Sequence, residues 1–131
     1  MEMRALVLTV GCMVLCLAAV AHSEETLAIF YNIPPSHRSA CYGSKDVGQL
    51  ITGVSDALWN GGAACGRKYR VSCVKGANLA PHPCKPGTSV AVTVADYCRP
   101  LCNGTLSLSR QAFNQIADPN AGKVVVDYQQ I

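Results

Sequence analysis

Six cysteines within residues 24–131 constrain the fold of this chain more than any other feature of its sequence. An even number of cysteines in a small exported domain is typical of disulfides, so these six predict three bridges. The alternative is a zinc site, but no C-x-x-C pair occurs, and His37 and His82 stand at no zinc-ligand spacing from the cysteines. We therefore predict a disulfide-stapled domain with no metal site. The six are Cys41, Cys65, Cys73, Cys84, Cys98 and Cys102.

The first 23 residues predict export. Arg4 supplies a positive charge, an apolar run follows to Ala21, and A-H-S ends the segment as a small-x-small cleavage site. A transmembrane anchor is the alternative, but the run is short for a bilayer and no second apolar stretch follows. We predict a signal peptide over 1–23 and one domain over 24–131, secreted and not embedded in a membrane. The sequon at Asn103 is a candidate for N-glycosylation.

The charge is mildly basic, with a formal net value of +3. This balance suits an acidic, polysaccharide-rich surrounding and gives little support to nucleic-acid binding, which usually needs a denser basic face. The single basic cluster contains Arg67, Lys68 and Arg70. On a strand, alternation would place Lys68 and Arg70 on one face and Arg67 on the other. The cluster is either a solvated edge or a patch for an acidic partner.

Hydrophobic patterning predicts strands with two short helices and many turns, as in a small closed or nearly closed β-barrel. The strands are expected at 26–32, 50–54, 67–75, 88–95 and 124–128, and the second is followed by a helical turn capped by Ser55. A helix is expected over 109–117, with Ser109 as its N-cap and Asp118-Pro119 as its stop. The segment between Cys102 and this helix is expected to be a polar turn.

Several segments occur together in the order found in plant natriuretic peptides and the wider expansin-like family, which the chain resembles over 24–131. They are A-I-F-Y-N, S-A-C-Y-G, L-W-N-G-G-A-A-C-G-R-K-Y-R-V-S-C, V-T-V-A-D-Y-C-R-P-L-C-N-G, L-S-R-Q-A-F-N-Q-I-A-D-P-N-A-G and V-V-V-D-Y. The resemblance implies an all-β fold, a six-stranded double-psi β-barrel. It also implies the disulfide pairs Cys41–Cys65, Cys73–Cys84 and Cys98–Cys102.

The resemblance also identifies candidate groove residues. Family-45 endoglucanases share this barrel and use two acids, because glycoside hydrolysis needs a pair of carboxyl groups. By the resemblance, the first position falls near Tyr31 and the second at Ser107, whose hydroxyl is a poor proton donor. Asp96 is the carboxylate that remains, and it either contacts a ligand or caps the adjoining turn. Trp59 is either packing at the groove rim or a surface for a sugar ring.

We therefore predict a secreted protein that is not an enzyme, needs no cofactor and is monomeric. Its leading implication is a systemic or paracrine role in water and solute homeostasis in the apoplast, read by a plasma-membrane receptor. In natriuretic peptides that activity is associated with the region matching Pro34 to Arg70, so Arg67, Lys68 and Arg70 are the candidate receptor-facing residues. The alternative is a module that binds or loosens cell-wall polysaccharide through Tyr31, Asp96 and Ser107. A hydrolase or a defence role stays open.

Overall fold

The protein is a closed barrel of six strands in a computed structural model that describes residues 23–98, 102 and 104–131. The strands follow one another around the barrel in the order β1-β5-β2-β4-β3-β6, and β6 returns to β1. Their bounds are β1 Glu24–Tyr31, β2 Ile51–Val54, β3 Lys68–Gly76, β4 Val90–Tyr97, β5 Leu106–Ser109 and β6 Lys123–Gln130. The all-β class and the six-stranded barrel implied by the resemblance are confirmed.

The barrel mixes parallel and antiparallel pairs. β1 pairs with β5, and β2 with β4, in parallel, while the other neighbouring strands are antiparallel. One irregularity matters for function: Thr52 pairs with Val94 but Gly53 pairs with Asp96, so β4 carries one extra residue at this point. Such bulges redirect side chains and are frequent beside functional sites. Asp96 consequently lies directly beside Gly53.

The core lies inside the barrel and follows the alternation of the strands. In β6, Val124, Val126 and Tyr128 are buried, and in β3 Tyr69 and Val71 are buried. Lys68 and Arg70 are exposed between them, as alternation requires. In β4, Val90, Val92 and Val94 are buried, whereas Ala91 on the other face is exposed.

Two short helices cover parts of the barrel, α1 at Asp56–Trp59 and α2 at Arg110–Ile116. The predicted N-cap of α2 is confirmed, because the Ser109 hydroxyl accepts a hydrogen bond from the Ala112 N–H at 3.2 Å. Ser55 precedes α1 but makes no such side-chain bond. Within the described ranges, no helix has the length and apolar character needed to span a membrane.

The prediction of a polar turn before α2 is wrong, because residues 106–109 form β5. All four residues are buried, including Ser107 and Ser109, so the polar serines in this segment do not mark a surface turn. β5 pairs with β1 on one side and with β2 on the other, and α2 follows it directly in the chain. The other strands begin and end within two residues of the predicted bounds.

Three disulfides join Cys41 to Cys65, Cys73 to Cys84 and Cys98 to Cys102. Their Cα–Cα distances of 5.6, 5.3 and 5.1 Å fall in the usual range for such bridges. These are the pairs that the resemblance implies. The proposed signal segment up to residue 22, and the glycosylation candidate Asn103, lie outside the described residues.

Candidate functional site

Asp96 is the centre of a hydrogen-bonded cluster at the end of β4. One carboxylate oxygen, Oδ2, accepts a hydrogen bond from the Tyr31 hydroxyl at 2.6 Å and lies 2.9 Å from His37 Nε2. The other oxygen, Oδ1, accepts from the backbone N–H of Ala40 at 3.0 Å. Its side chain is 14% exposed, so it remains open to a ligand on one side. Asp96 thus accepts a backbone N–H from a neighbouring loop, as a strand-end acid does, and contact with a ligand stays a prediction.

Tyr31 ends β1 and is held in one orientation by Asp96. Burial raises the pKa of the Tyr31 hydroxyl far above its usual range, and the hydrogen bond and negative charge of Asp96 add to that effect. The phenol consequently stays protonated at any physiological pH. It acts as a fixed hydrogen-bond donor rather than as an acid or base.

His37 is the site residue that the sequence did not indicate. It lies in the loop after β1, 59 residues away from Asp96 along the chain, and its ring lies 5.9 Å from that of Tyr31. His37 follows two prolines, and the residues around it in the sequence do not indicate a contact with Asp96. Its partner becomes evident only once β1 and β4 stand in the same barrel.

Gly53 forms the floor between Asp96 and Ser107. Gly53 lies on β2 and pairs with Asp96 on β4 and with Ser107 on β5. One strand, β2, therefore lies between Asp96 and Ser107. A Cβ atom at Gly53 would lie 3.3 Å from the Cys98 Cβ and 3.4 Å from the Asp96 Cβ. The missing side chain therefore keeps the space between Asp96 and Ser107 open. Ser107 itself is only 5% exposed at this floor.

Tyr97, the last residue of β4, follows Asp96 and is held by an aromatic neighbour. The Tyr97 and Trp59 rings stack with centroids 4.8 Å apart and an angle of 12° between their planes. Tyr97 also donates a hydrogen bond from its hydroxyl to Asp56, the first residue of α1. Trp59 packs against the core. Tyr97 is thereby fixed from behind and at its tip, with part of its surface in the pocket.

These groups line one pocket of about 190 Å³, and its lining comprises Tyr31, His37, Gly53, Asp96, Tyr97, Cys98 and Ser107. The structure thus brings together all three groove candidates of the sequence analysis. Asp96 is the one carboxylate in this lining. Across residues 23–98, 102 and 104–131, no group of three or more histidine, cysteine or acidic side chains is arranged to hold a metal ion.

The basic residues lie elsewhere on the barrel. Lys68 and Arg70 project from the outer face of β3, and Arg67 precedes the strand in a half-buried position. Lys68 pairs with Thr93 and Arg70 with Ala91, so this face is continuous with the outside of β4. None of the three cations lines the Asp96 pocket.

Comparison with known proteins finds relatives that share one kind of domain. A family model described as lytic transglycolase matches residues 51–128. An EG45-like domain containing protein of Citrus jambhiri is 43% identical over 126 residues, 95% of each chain. EG45-like domain containing protein 2 of Arabidopsis thaliana is 45% identical over 112 residues, 86% of this chain and 84% of the relative.

A solved structure extends the likeness to expansins. A variant of the Clavibacter michiganensis expansin, in complex with cellohexaose, superposes with a TM-score of 0.65 at 27% identity. The match covers 84% of this chain but only 50% of that expansin. Fold and pocket together define an expansin-like double-psi β-barrel. Within that class, the chain belongs to the family of EG45-like domain containing proteins.

Proposed function

We propose that this protein is an exported, non-catalytic module that binds a cell-wall polysaccharide through the Asp96 pocket. The observation that carries the proposal is the pocket itself, in which a fixed carboxylate and a braced aromatic ring flank an open glycine floor. The similar expansin was crystallised with a glucose oligomer, cellohexaose. Three disulfides support an extracellular location, since such bridges persist in oxidising compartments.

The chemistry of the lining suits a neutral sugar. A carboxylate accepts hydrogen bonds from sugar hydroxyls, and Asp96 has exposed surface left after its three protein contacts. Tyr97 offers an apolar ring against which the hydrophobic side of a sugar can pack, and Trp59 behind it limits the rotamer entropy lost on binding. The volume of about 190 Å³ limits the pocket to a small part of a polymer chain.

The same lining disfavours hydrolysis. Inverting and retaining glycosidases need two carboxyl groups across the scissile bond, and this pocket supplies Asp96 alone. Ser107 faces it from two strands away, and a hydroxyl is a poor general acid near neutral pH. Tyr31 does not replace the missing acid, because the pKa of its hydroxyl is raised well above the usual value.

A role in water and solute homeostasis through a receptor is the weaker hypothesis. None of the relatives above is named for such a role. The region from Pro34 to Arg70 also contains β2 without its partners β4 and β5, and the start of β3 without β4 and β6. Excised from the protein, that region would keep the Cys41–Cys65 bridge but none of these strand pairs. Receptor binding by Arg67, Lys68 and Arg70 stays a prediction.

Retention on insoluble polysaccharide tests the proposal. The disulfide-bonded protein is incubated with cellulose, and with xyloglucan or pectin fixed to a support, and the bound fraction is measured. We expect retention on at least one neutral glucan and at least a tenfold loss in Asp96→Asn and in Tyr97→Ala, because each removes one of the two main contacts.

Asp118→Asn is the matched control, since it removes one negative charge from an exposed turn outside the pocket. Retention that is equal in Asp96→Asn and Asp118→Asn would contradict the proposal. Sugar release from soluble glucan by the unmodified protein would contradict its non-catalytic part.

A further inference from the structure

A second groove lies at the opposite end of β4. It runs between the outer edge of β3 and the segment 84–89, which leads into β4, and has a volume of about 590 Å³. The disulfide between Cys73 and Cys84 fixes its two sides together. Strands rise about 3.3 Å per residue, so Ser89 and Asp96 lie about 23 Å apart along β4. The groove is therefore separate from the Asp96 pocket.

Cations and hydroxyl groups line this groove. Arg70 and Lys85 are both exposed in it, and the hydroxyls come from Ser72, Thr88 and Ser89. Lys85 donates a hydrogen bond to the backbone oxygen of Asn114, which fixes its position while leaving further donors of the ammonium group.

Among the described residues that line the groove, Arg70 and Lys85 have no carboxylate beside them, because the lining contains neither aspartate nor glutamate. Asp127 of β6 pairs with Ser72 but is not part of the groove lining. The side chains of Arg70 and Lys85 are therefore exposed to solvent in a groove whose two sides are joined by the Cys73–Cys84 disulfide.

We propose that this groove binds an acidic polysaccharide through the ionised carboxylates of its uronic acid residues. The guanidinium of Arg70 can hold a carboxylate with two parallel hydrogen bonds, and Lys85 can pair with a second carboxylate farther along the polymer. The hydroxyls between them match the hydroxyls of the sugar rings. An acidic protein is a poorer fit, because protein interfaces centre on aromatic anchors and the lining contains no aromatic side chain.

The proposal extends beyond the neutral-glucan function and does not depend on it. Two sites on opposite ends of β4 would let one small barrel contact a neutral and an acidic polymer at once. Loss of one site should leave the other unchanged, so the two hypotheses fail separately.

Titration calorimetry of the disulfide-bonded protein with polygalacturonate tests the groove. We expect binding that weakens as salt increases, and no binding to the fully methyl-esterified polymer, which lacks the charges. The double variant Arg70→Gln/Lys85→Gln should bind polygalacturonate at least about tenfold more weakly, because both charge-assisted contacts are lost. Its retention on neutral glucan should be unchanged.

The control variant is Arg38→Gln/Lys45→Gln, which removes the same charge from exposed positions in the loop between β1 and β2. We expect less than about a threefold loss there, the size of a general charge effect on exposed sites. Equal losses in the two double variants would overturn the proposal, as would equal binding of the esterified polymer or no binding of polygalacturonate at low salt. Circular dichroism and thermal unfolding of each variant confirm that it is folded.

Discussion

The hydrogen bond between Tyr31 and Asp96 should contribute measurably to the stability of the barrel. It joins the last residue of β1 to β4, which are not neighbours in the barrel order, and it measures 2.6 Å. A hydrogen bond to a charged group contributes about 1.5–3 kcal/mol to folding. Since Asp96 is 14% exposed, water can partly replace a lost donor, and we expect the low end of that range for Tyr31→Phe.

Asp96→Ala should cost more, because it removes the acceptor of three donors at once. We expect about 3 kcal/mol, less than the sum of three charged hydrogen bonds, since the pocket is open to water. For a domain near 100 residues, about 1 kcal/mol corresponds to a Tm change of about 4–8 °C. Tyr31→Phe should thus lower Tm by roughly 6–12 °C and Asp96→Ala by roughly 12–24 °C.

A double-mutant cycle measured by urea unfolding isolates the pair. Once Asp96 is alanine, removing the Tyr31 hydroxyl should cost little, so the double variant should be about 1 kcal/mol more stable than the sum of the single losses predicts. Losses that add within about 0.3 kcal/mol would show that the two groups do not interact in solution, and the description of the pocket would then be wrong.

The same bond predicts a dependence on pH. In the folded protein the pKa of Tyr31 is raised, first by burial and then by Asp96, whereas in the unfolded chain it is about 10. Protonated Tyr31 thus contributes its full stability below pH of about 10, and that contribution is lost as the pH rises above this value. Between about pH 9 and pH 11, Tyr31→Phe should lose less stability than the unmodified protein does.

Three further predictions concern the floor and rim of the pocket. Gly53→Ala should abolish glucan retention, because the added methyl group fills the floor of the pocket. The free energy of unfolding should change by less than about 1 kcal/mol, since that methyl group contacts only two side-chain atoms within 3.4 Å. Unchanged retention would contradict the assigned site. Ser107→Asp should introduce slow glucan hydrolysis, detected by reducing-sugar release, because it adds a second carboxyl group to the pocket two strands away from Asp96. Ser109→Ala should lower the free energy of unfolding by about 1–2 kcal/mol in urea titration, because two hydrogen bonds of the Ser109 hydroxyl are lost, the N-cap bond to α2 and the bond to the Gln49 carbonyl. A loss below about 0.3 kcal/mol would argue against both bonds.

The sequence alone predicted most strands and both helices, because β3, β4 and β6 carry clear patterns and α2 carries a capping serine. It failed at β5, where two serines alternate with two leucines. Alternation normally reports one buried and one exposed face, but here both faces are covered, and no local pattern reports what lies above a strand.

Some residues of the pocket could likewise be identified from the sequence, and others could not. Tyr31, Asp96 and Ser107 were available from the resemblance, since each occupies a motif position. His37 and the stacking of Trp59 on Tyr97 were not, because both depend on which segments the barrel brings together. The extra residue of β4 beside Gly53 was equally hidden, since a bulge is a property of two paired strands rather than of one sequence.

Barrel closure between β1 and β6 has a consequence for how the chain is made. Glu24 at the start of β1 pairs with Tyr128 near the end of β6, so the first strand of the barrel depends on the sixth, which is synthesised after all the others. Until then, β1 keeps an unpaired edge, and pairings between distant segments form slowly. A ribosome-bound or truncated chain that lacks Lys123–Gln130 cannot close the barrel, and its open edges make it a substrate for chaperones and for aggregation.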